Sequence, residues 1–400
     1  MQSTPKSLRL QIGFFGRRNV GKSSLINAIT QQQVSIVSDQ PGTTTDPSEK
    51  AMELLPLGPV LFIDTAGMDD EGELGQLRRQ RSDSILERVD LGILVIEANS
   101  WGPFEEDLLE KLQKRDVPIL VVVNKIDLNA PSEDFIQKTE SRGCKVIGCS
   151  ATTNRSVADV RVALLNIAPA SHFETKHLVS DLVEPGQMVL LVVPIDSQAP
   201  KGRLILPQVM TIRDLLDNGS IPLVCQLDYI TTTLNNLQQP PAMVITDSQA
   251  FNEVSKKIPD TIPMTSFSIL MARHQGDLSE LIEGADSISK LKAGDSILMA
   301  EACSHHPTGE DIGRVKIPAL LSKFADSQLN FVHTSGRDFP NDLSPYSLVV
   351  HCGNCTGNRR EMLNRIYRCK EAGVPITNYG LTIAYSLGIF ERALRPFGRL

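Results

Sequence analysis

The chain is 400 residues long, 41% hydrophobic and 22% charged, with a formal net charge of −7. At about 150 residues per domain, that length implies two or three domains of ordinary soluble composition. The acidic balance speaks against a general nucleic-acid binder, whose domains run basic. The longest apolar runs, such as MVLLVVPI at 188–195, fall far short of the ~20 residues that span a bilayer.

The opening MQSTPKSLRLQIGFF carries no apolar core ending in small residues, so no secretory signal is expected and the reading is cytoplasmic, with no membrane and no nucleic acid as partners. LRLQIGFFG (8–16) reads as a buried strand, GRRNVGKS (16–23) follows it, and SLINAIT continues in a helical pattern. This is the spacing Gly16-x-x-x-x-Gly21-Lys22-Ser23, with strand before and helix after, as a phosphate loop requires. The glycines let backbone N–H groups wrap the phosphates. Lys22 reaches the outer phosphates, Ser23 can ligand Mg²⁺, and Ser24 stands beside it as a further nucleotide-binding position.

The partners follow in order. FIDTAG (62–67) ends a strand on Asp64-x-x-Gly67, where Asp64 can hold Mg²⁺ through water and Gly67 can offer an N–H to the last phosphate. VVVNKID (121–127) ends another strand with Asn124, Lys125 and Asp127. The Asp127 carboxylate can accept two hydrogens from a guanine edge, and adenine presents the opposite polarity, so GTP or GDP is expected rather than ATP. VIGCSAT (146–152) then places Ser150 and Ala151 over the base. Alternating strands and helices imply an α/β fold, a doubly wound and mostly parallel sheet with its ligand at the strands' C-terminal ends. Cys144 and Cys149, on or beside that last strand, read as packing residues.

Together these elements resemble the translation-factor-like GTPases of the Era and MnmE group. PGTTTDP (41–47) is similar to that group's first switch. By this match Thr44 is the Mg²⁺-sensing threonine, with Thr43 and Thr45 as rivals, and Asn19 matches the asparagine that holds a K⁺ ion in MnmE-like members. Met68 stands where Ras-type proteins carry a water-orienting glutamine. Slow, K⁺-dependent hydrolysis is therefore expected; the equal alternative reads Met68 as a switch residue packed on the core.

The GTPase pattern ends near 165, and the stretch 168–187, rich in Pro, Ser and charge, reads as a linker. Beyond it, strands at 188–196, 221–227 and 241–248 alternate with helices at 206–219, 229–237 and 249–258. This small α/β unit has no catalytic constellation. Asp196 and Asp247 end strands and read as turn formers. Its unpaired apolar strands suit oligomer formation.

In the last third, a helical pattern from 279 runs into DSILMAEA (295–302), and Cys303, His305 and His306 follow. LNFVHTSGRDFP (329–340) supplies a second strand with His333, and SLVVHCGNC (347–355) a third with His351, Cys352 and Cys355. In a parallel sheet all three strand ends lie on one edge. The chain has seven cysteines, four of them in the last 100 residues. In a reducing cytosol that clustering points to metal or redox chemistry more than to disulfides.

Three thiolates with histidines fit zinc in a closed Cys₃His tetrahedron or an iron–sulfur cluster with one iron left open; the residues alone leave the two equal. A redox dithiol is the weaker reading, because it leaves Cys303 and the histidines unused. A helix starting near Asn358, with Arg359 and Arg360 in its first turn, favours nearby anions. Cys369 reads as packing within that helix.

The whole chain, an Era/MnmE-type GTPase, then a small α/β unit, then Cys-x-His … His-Cys-x-x-Cys, resembles the HydF family of [FeFe]-hydrogenase maturation GTPases, with HTSGRDFP and HCGNCTGNRREMLNR as the segments most like it. The resemblance implies a GTP-binding domain at 1–167, a dimerisation domain at 175–264 and a cluster-binding domain at 265–400. It implies a [4Fe–4S] cluster on Cys303, Cys352 and Cys355, with His305 and His351 as exchangeable ligands or as hydrogen-bond partners around the cluster. His306 and His333 are weaker candidates. The implied role is a homodimeric scaffold that receives a di-iron precursor from radical-SAM maturases and hands it to apo-[FeFe]-hydrogenase, with GTP regulating partner exchange. The alternative is an Era-like RNA or ribosome-assembly GTPase with a structural zinc, disfavoured by the acidic charge and the lack of a basic, aromatic-interleaved patch.

Overall fold

Leu10–Phe15 (β1) is buried at every position, as a central strand covered on both faces by helices must be. The computed structural model describes residues 4–30, 48–65, 84–173, 176–194, 204–302, 311–336 and 338–398. It divides into two units, Met1–Glu174 and Thr175–Leu400.

In the first unit β1 leads into Lys22–Thr30 (α1). Ser48–Leu54 (β2) and Gly58–Asp64 (β3) follow, then Leu91–Glu97 (β4), Pro103–Gln113 (α2), Ile119–Asn124 (β5), Glu133–Glu140 (α3), Lys145–Gly148 (β6) and Val157–Ile167 (α4). The strand order is β2-β3-β1-β4-β5-β6. β2 runs antiparallel at the edge and the rest are parallel. One face is covered by Leu25 and Ile29 of α1 with Val160 and Leu164 of α4. The other is covered by Leu108 and Leu112 of α2 with Ile85 and Leu86. This is the doubly wound sheet expected from the alternating pattern. Burying each such Leu or Ile stabilises the fold by about 1.5–3 kcal/mol before entropy is counted.

The second unit holds two four-stranded parallel sheets. Met188–Val192 (β7), Ile221–Cys225 (β8), Met243–Thr246 (β9) and Met264–Ser266 (β10) form one, in the order β10-β9-β7-β8, with Leu206–Asp217 (α5) crossing from β7 to β8. β8 is an edge strand and leaves Ile221 and Val224 half exposed. Phe267–Gln275 (α6) and Leu278–Asp286 (α7) then lead to the other sheet. That sheet contains Ser296–Glu301 (β11), Asn330–Ser335 (β12), Leu348–His351 (β13) and Ile376–Asn378 (β14), in the order β12-β11-β13-β14, with Arg359–Glu371 (α8) between the last two. One hydrophobic core runs through both sheets, from Leu190 and Val244 to Leu298 and Val350. No helix among the described residues is long and apolar enough to cross a membrane.

The linker expected over 168–187 is overturned in its second half. Leu178 and Val179 are buried in the core of the second unit. The Asp214 carboxylate on α5 accepts the backbone N–H groups of Leu178, Val179 and Ser180 at 3.1, 2.8 and 2.8 Å. A polar segment is thus ordered by a partner that sequence proximity does not reveal. Hydrogen bonds to a charged group each contribute about 1.5–3 kcal/mol. Asp214→Ala is therefore expected to destabilise the chain by about 4–5 kcal/mol, the low end for three such bonds, read as a lower urea midpoint; an unshifted midpoint would refute the anchor. The expected strand at 188–196 ends earlier, at Val192, and Asp196 lies outside the described residues. Asp247 stays a turn residue, its carboxylate accepting from Gln208 Nε2 at 3.1 Å.

Candidate functional site

The loop between β1 and α1 is shaped by its two glycines. Gly16 has φ +142° and Gly21 φ +94°. A Cβ at Gly16 would run into the Val95 carbonyl oxygen, and one at Gly21 into the Asn124 amide, so both the dihedral and the space demand glycine. Lys22 is buried, its Nζ donating to the carbonyls of Gly16 and Arg17 at 2.9 and 2.8 Å. The ammonium therefore stands inside the loop at the start of α1, where helix N–H groups and positive charge suit an anionic phosphate.

Ser23 Oγ donates to Asp64 Oδ2 at 2.6 Å. The second carboxylate oxygen, Oδ1, is buried with no hydrogen-bond partner among the described residues. Burial pushes the Asp64 carboxyl above its ordinary range, while the Ser23 bond and the Lys22 charge pull the other way. A hydroxyl, a carboxylate and an orphaned buried oxygen in one place fit a hard divalent cation such as Mg²⁺.

Asn124 ends β5 and joins two loops. Its Nδ2 donates to the Val20 carbonyl at 2.9 Å, and its Oδ1 accepts from the Ala151 N–H at 3.0 Å. Lys125, with φ +61°, donates to the Asn19 carbonyl at 2.7 Å and pairs with Glu97 at 2.6 Å. Asn19 is itself left-handed, with φ +62°. Ser150 Oγ accepts from the Thr153 N–H at 3.2 Å, turning the chain just after Cys149. Asp127 stands in the turn after β5, and Ser24 in the first turn of α1. Apart from Thr44 and Gly67, the expected nucleotide residues thus gather at the C-terminal ends of β1, β3, β5 and β6. Thr44 and Gly67, with Thr43, Thr45 and Met68, lie outside the described residues. Cys144 and Cys149 are buried, and burial pushes their thiols to about 11 and about 12. Sequence reading missed Glu105. Buried on α2, it takes Arg17 of the phosphate loop through two bonds of 2.7 and 2.8 Å and also accepts the Gly102 N–H. The available signal was its place as the third residue of the helix, three after the N-cap Gly102.

A second edge lies in the other unit, where β11, β12 and β13 end side by side. Cys303, His305 and His306 fall outside the described residues, and among the described residues no group of three or more His, Cys, Asp or Glu could hold a metal. Cys352 follows β13 directly. Its N–H donates to the Ala300 carbonyl at 2.9 Å, and its Sγ accepts the Ala302 N–H at 3.1 Å. The Cys352 thiol is thus tied to the residue that precedes Cys303, and an N–H aimed at sulfur suits a thiolate or a cluster. Asn354 turns the chain with φ +51°. Its Nδ2 donates to the Asn358 carbonyl at 3.0 Å, while its buried Oδ1 has no hydrogen-bond partner among the described residues. Asn358 caps α8 by accepting the Glu361 N–H at 3.1 Å. Cys355 packs beside Phe267 and Met271 of α6 in their hydrophobic cluster.

His351 is fully buried at the end of β13. Its Nδ1 lies 2.8 Å from the Cys352 carbonyl, which only accepts, so Nδ1 carries the hydrogen. Nε2 then accepts from Arg365 Nη1 at 2.7 Å. Burial and the Arg365 charge push the ring down to about 3, against the Cys352 bond, and the imidazole is neutral. His333 on β12, opposite Met299, has a buried Nδ1 with no partner among the described residues; burial and then Arg314 hold it below the ordinary histidine value. Tyr379 donates to Glu301 Oε1 at 3.1 Å, with its phenol raised well above the ordinary value by burial and then by Cys352 and Glu301. Cys369 is buried on α8, its thiol pushed up to about 12 by burial. Sequence reading also missed Arg365. The faint signal was its place four residues after Glu361 on one helix face.

Comparison with known proteins adds three family matches. Residues 178–276 match the hydrogen maturase F dimerization domain, and residues 279–396 match the hydrogen maturase F tetramerization domain; together these span more than half of the chain. Residues 11–125 match a family described as 50S ribosome-binding GTPase. Among curated proteins, the tRNA modification GTPase MnmE of Acaryochloris marina is 31% identical over 42% of this chain and 36% of its own length. The GTPase Era of Carboxydothermus hydrogenoformans is 33% identical over 40% of this chain and 55% of its own length. The chain therefore spans about a third to a half of these relatives. Among solved structures, Era of Aquifex aeolicus aligns over 62% of this chain and 97% of its own length, with 18% identity and a TM-score of 0.36.

Proposed function

Since the chain belongs to the HydF family of hydrogenase maturation GTPases, we propose that it binds and hydrolyses GTP with Mg²⁺ in its first unit and holds a [4Fe–4S] cluster in its second. There it acts as scaffold and carrier of a di-iron precursor destined for apo-[FeFe]-hydrogenase. The observation that carries the reading is the pair of strand-end edges, each with one chemistry. One gathers a phosphate loop, a Ser23–Asp64 pair and the Asn124–Lys125 turn. The other ties Cys352 to the residue before Cys303.

In this reading Gly16, Gly21, Lys22, Ser23 and Ser24 hold the phosphates, and Ser23, Thr44 and Asp64 serve Mg²⁺. Gly67 meets the last phosphate, and Asn124, Lys125, Asp127, Ser150 and Ala151 hold guanine. Cys303, Cys352 and Cys355 ligate the cluster, which supplies an iron open to exchange. The dimerisation and tetramerisation family matches support an oligomer. The precursor would come from radical-SAM maturases.

The test is transfer. Anaerobically reconstituted chain, loaded with precursor by its maturases, should activate apo-[FeFe]-hydrogenase. One tightly held zinc, no sulfide and no activation would point to a structural metal instead. Asn19 is the proposed K⁺ ligand. GTP turnover is expected to be about tenfold or more faster in K⁺ than in Na⁺ buffer, as for a positive charge placed against the transferring phosphoryl group; equal rates would remove K⁺ from the mechanism.

A further inference from the structure

Arg365 makes more contacts at the second edge than its place on a surface helix requires. Its side chain is only 6% exposed. Nη1 donates to His351 Nε2 at 2.7 Å, and Nη2 donates to the Gly336 carbonyl at 2.9 Å and to Glu361 Oε1 at 2.8 Å. The guanidinium lies over the Phe339 ring, 5.1 Å from its centroid. One planar group therefore ties the end of β13 (His351), the chain just past β12 (Gly336 and Phe339) and the first turns of α8 (Glu361). A planar fork can satisfy several acceptors in fixed directions at once, and a lysine ammonium cannot reproduce that set.

His351 passes the constraint on. With Nε2 taken by Arg365, the remaining ring hydrogen sits on Nδ1 and is given to the Cys352 carbonyl at 2.8 Å. The imidazole has no nitrogen left for iron unless one of these bonds breaks, and breaking the one to Nε2 leaves a buried Arg365 N–H without its acceptor. Cys352 itself carries the thiol that receives the Ala302 N–H.

We infer that Arg365 is a positioning residue for the cysteine pair: by occupying His351 Nε2 it commits the imidazole to the Cys352 backbone and keeps it off the metal. The part that concerns a cluster rests on the function proposed above; the part that concerns the imidazole does not. The exchangeable iron position is then filled from outside the His351–Cys355 segment.

The test reads the ring directly. Metal-free full-length chain is labelled with ¹⁵N at histidine, and tautomers are read by long-range ¹H–¹⁵N correlation, with His351→Gln assigning the signal. Wild type should show His351 as the Nδ1–H tautomer alone; an Nε2–H tautomer in wild type overturns the inference without any variant. Arg365→Met should lose the single-tautomer pattern and gain Nε2–H signal, and an unchanged His351 signal in a folded Arg365→Met chain overturns it. After anaerobic reconstitution, Arg365→Met should lose iron to a chelator roughly tenfold faster than wild type, in line with other outer ligand partners. A directly bonded ¹⁵N coupling on the reduced wild-type cluster that vanishes in His351→Gln also overturns it. If wild type forms no cluster, the proposed function fails while the tautomers still decide the Arg365 role.

Discussion

Cys352→Ser is expected to abolish the proposed iron–sulfur centre: reconstituted iron should fall from about four per chain, the content of a [4Fe–4S] cluster, to near background, with loss of the reduced EPR signal. The argument is local. Cys352 sits where β13 ends, its N–H bonded to Ala300 and its Sγ to the Ala302 N–H. A serine oxygen can accept the same N–H, so the metal-free fold should survive. Hard oxygen in place of soft sulfur leaves a poor iron ligand. Cys369→Ser is the control. That thiol is buried and raised to about 12 by burial, so it should cost stability and leave iron content unchanged. Equal iron in Cys352→Ser and wild type would sink the cluster assignment, and equal loss in both variants would mean that unfolding explains the result.

Much of this architecture was legible because its signals are local. A six-residue strand of LQIGFF followed by Gly-x-x-x-x-Gly-Lys-Ser announces a strand, a phosphate loop and a helix in one stretch. The same holds for FIDTAG and VVVNKID, each placing a polar residue where a buried strand stops. The parallel strands β11, β12 and β13 were readable for the same reason, with His351 and Cys352 at the end of β13, whereas His333 falls inside β12 and Cys303 and His305 lie outside the described residues. What stayed hidden is non-local or short. β10 and β14 have three residues each, too few for any period to show. The segment around Leu178–Ser180 looked like linker because its order comes from Asp214, more than thirty residues away. At the second edge the sequence offered His351 as ligand or as supporting residue. What engages the ring is Arg365, fourteen residues on and across a turn of chain, and no local pattern links the two.

Asp64→Asn should move stability and activity in opposite directions. Asp64 Oδ2 accepts from Ser23, while Oδ1 is buried without a partner among the described residues, and burial raises the carboxyl above its ordinary value. For an acid whose folded value is raised, its contribution to stability is full below the unfolded pKa and is lost as pH rises through the folded one. At neutral pH without metal, the ionised Asp64 therefore works against folding, and a neutral amide of nearly the same shape removes that cost. Metal-free Asp64→Asn should melt higher than wild type at pH 7, with the gap closing as pH falls through the carboxylate range. A divalent cation reverses the balance, because it supplies the charge that the orphaned oxygen lacks. Mg²⁺ with GTP should raise the melting temperature of wild type and not of the variant, and GTP turnover should fall by about 10²-fold or more, the scale for losing an electrostatic contact to the transferring phosphoryl group. A variant that melts lower without metal would show that the Ser23 bond outweighs desolvation in this site; wild-type turnover would remove Asp64 from the metal site altogether.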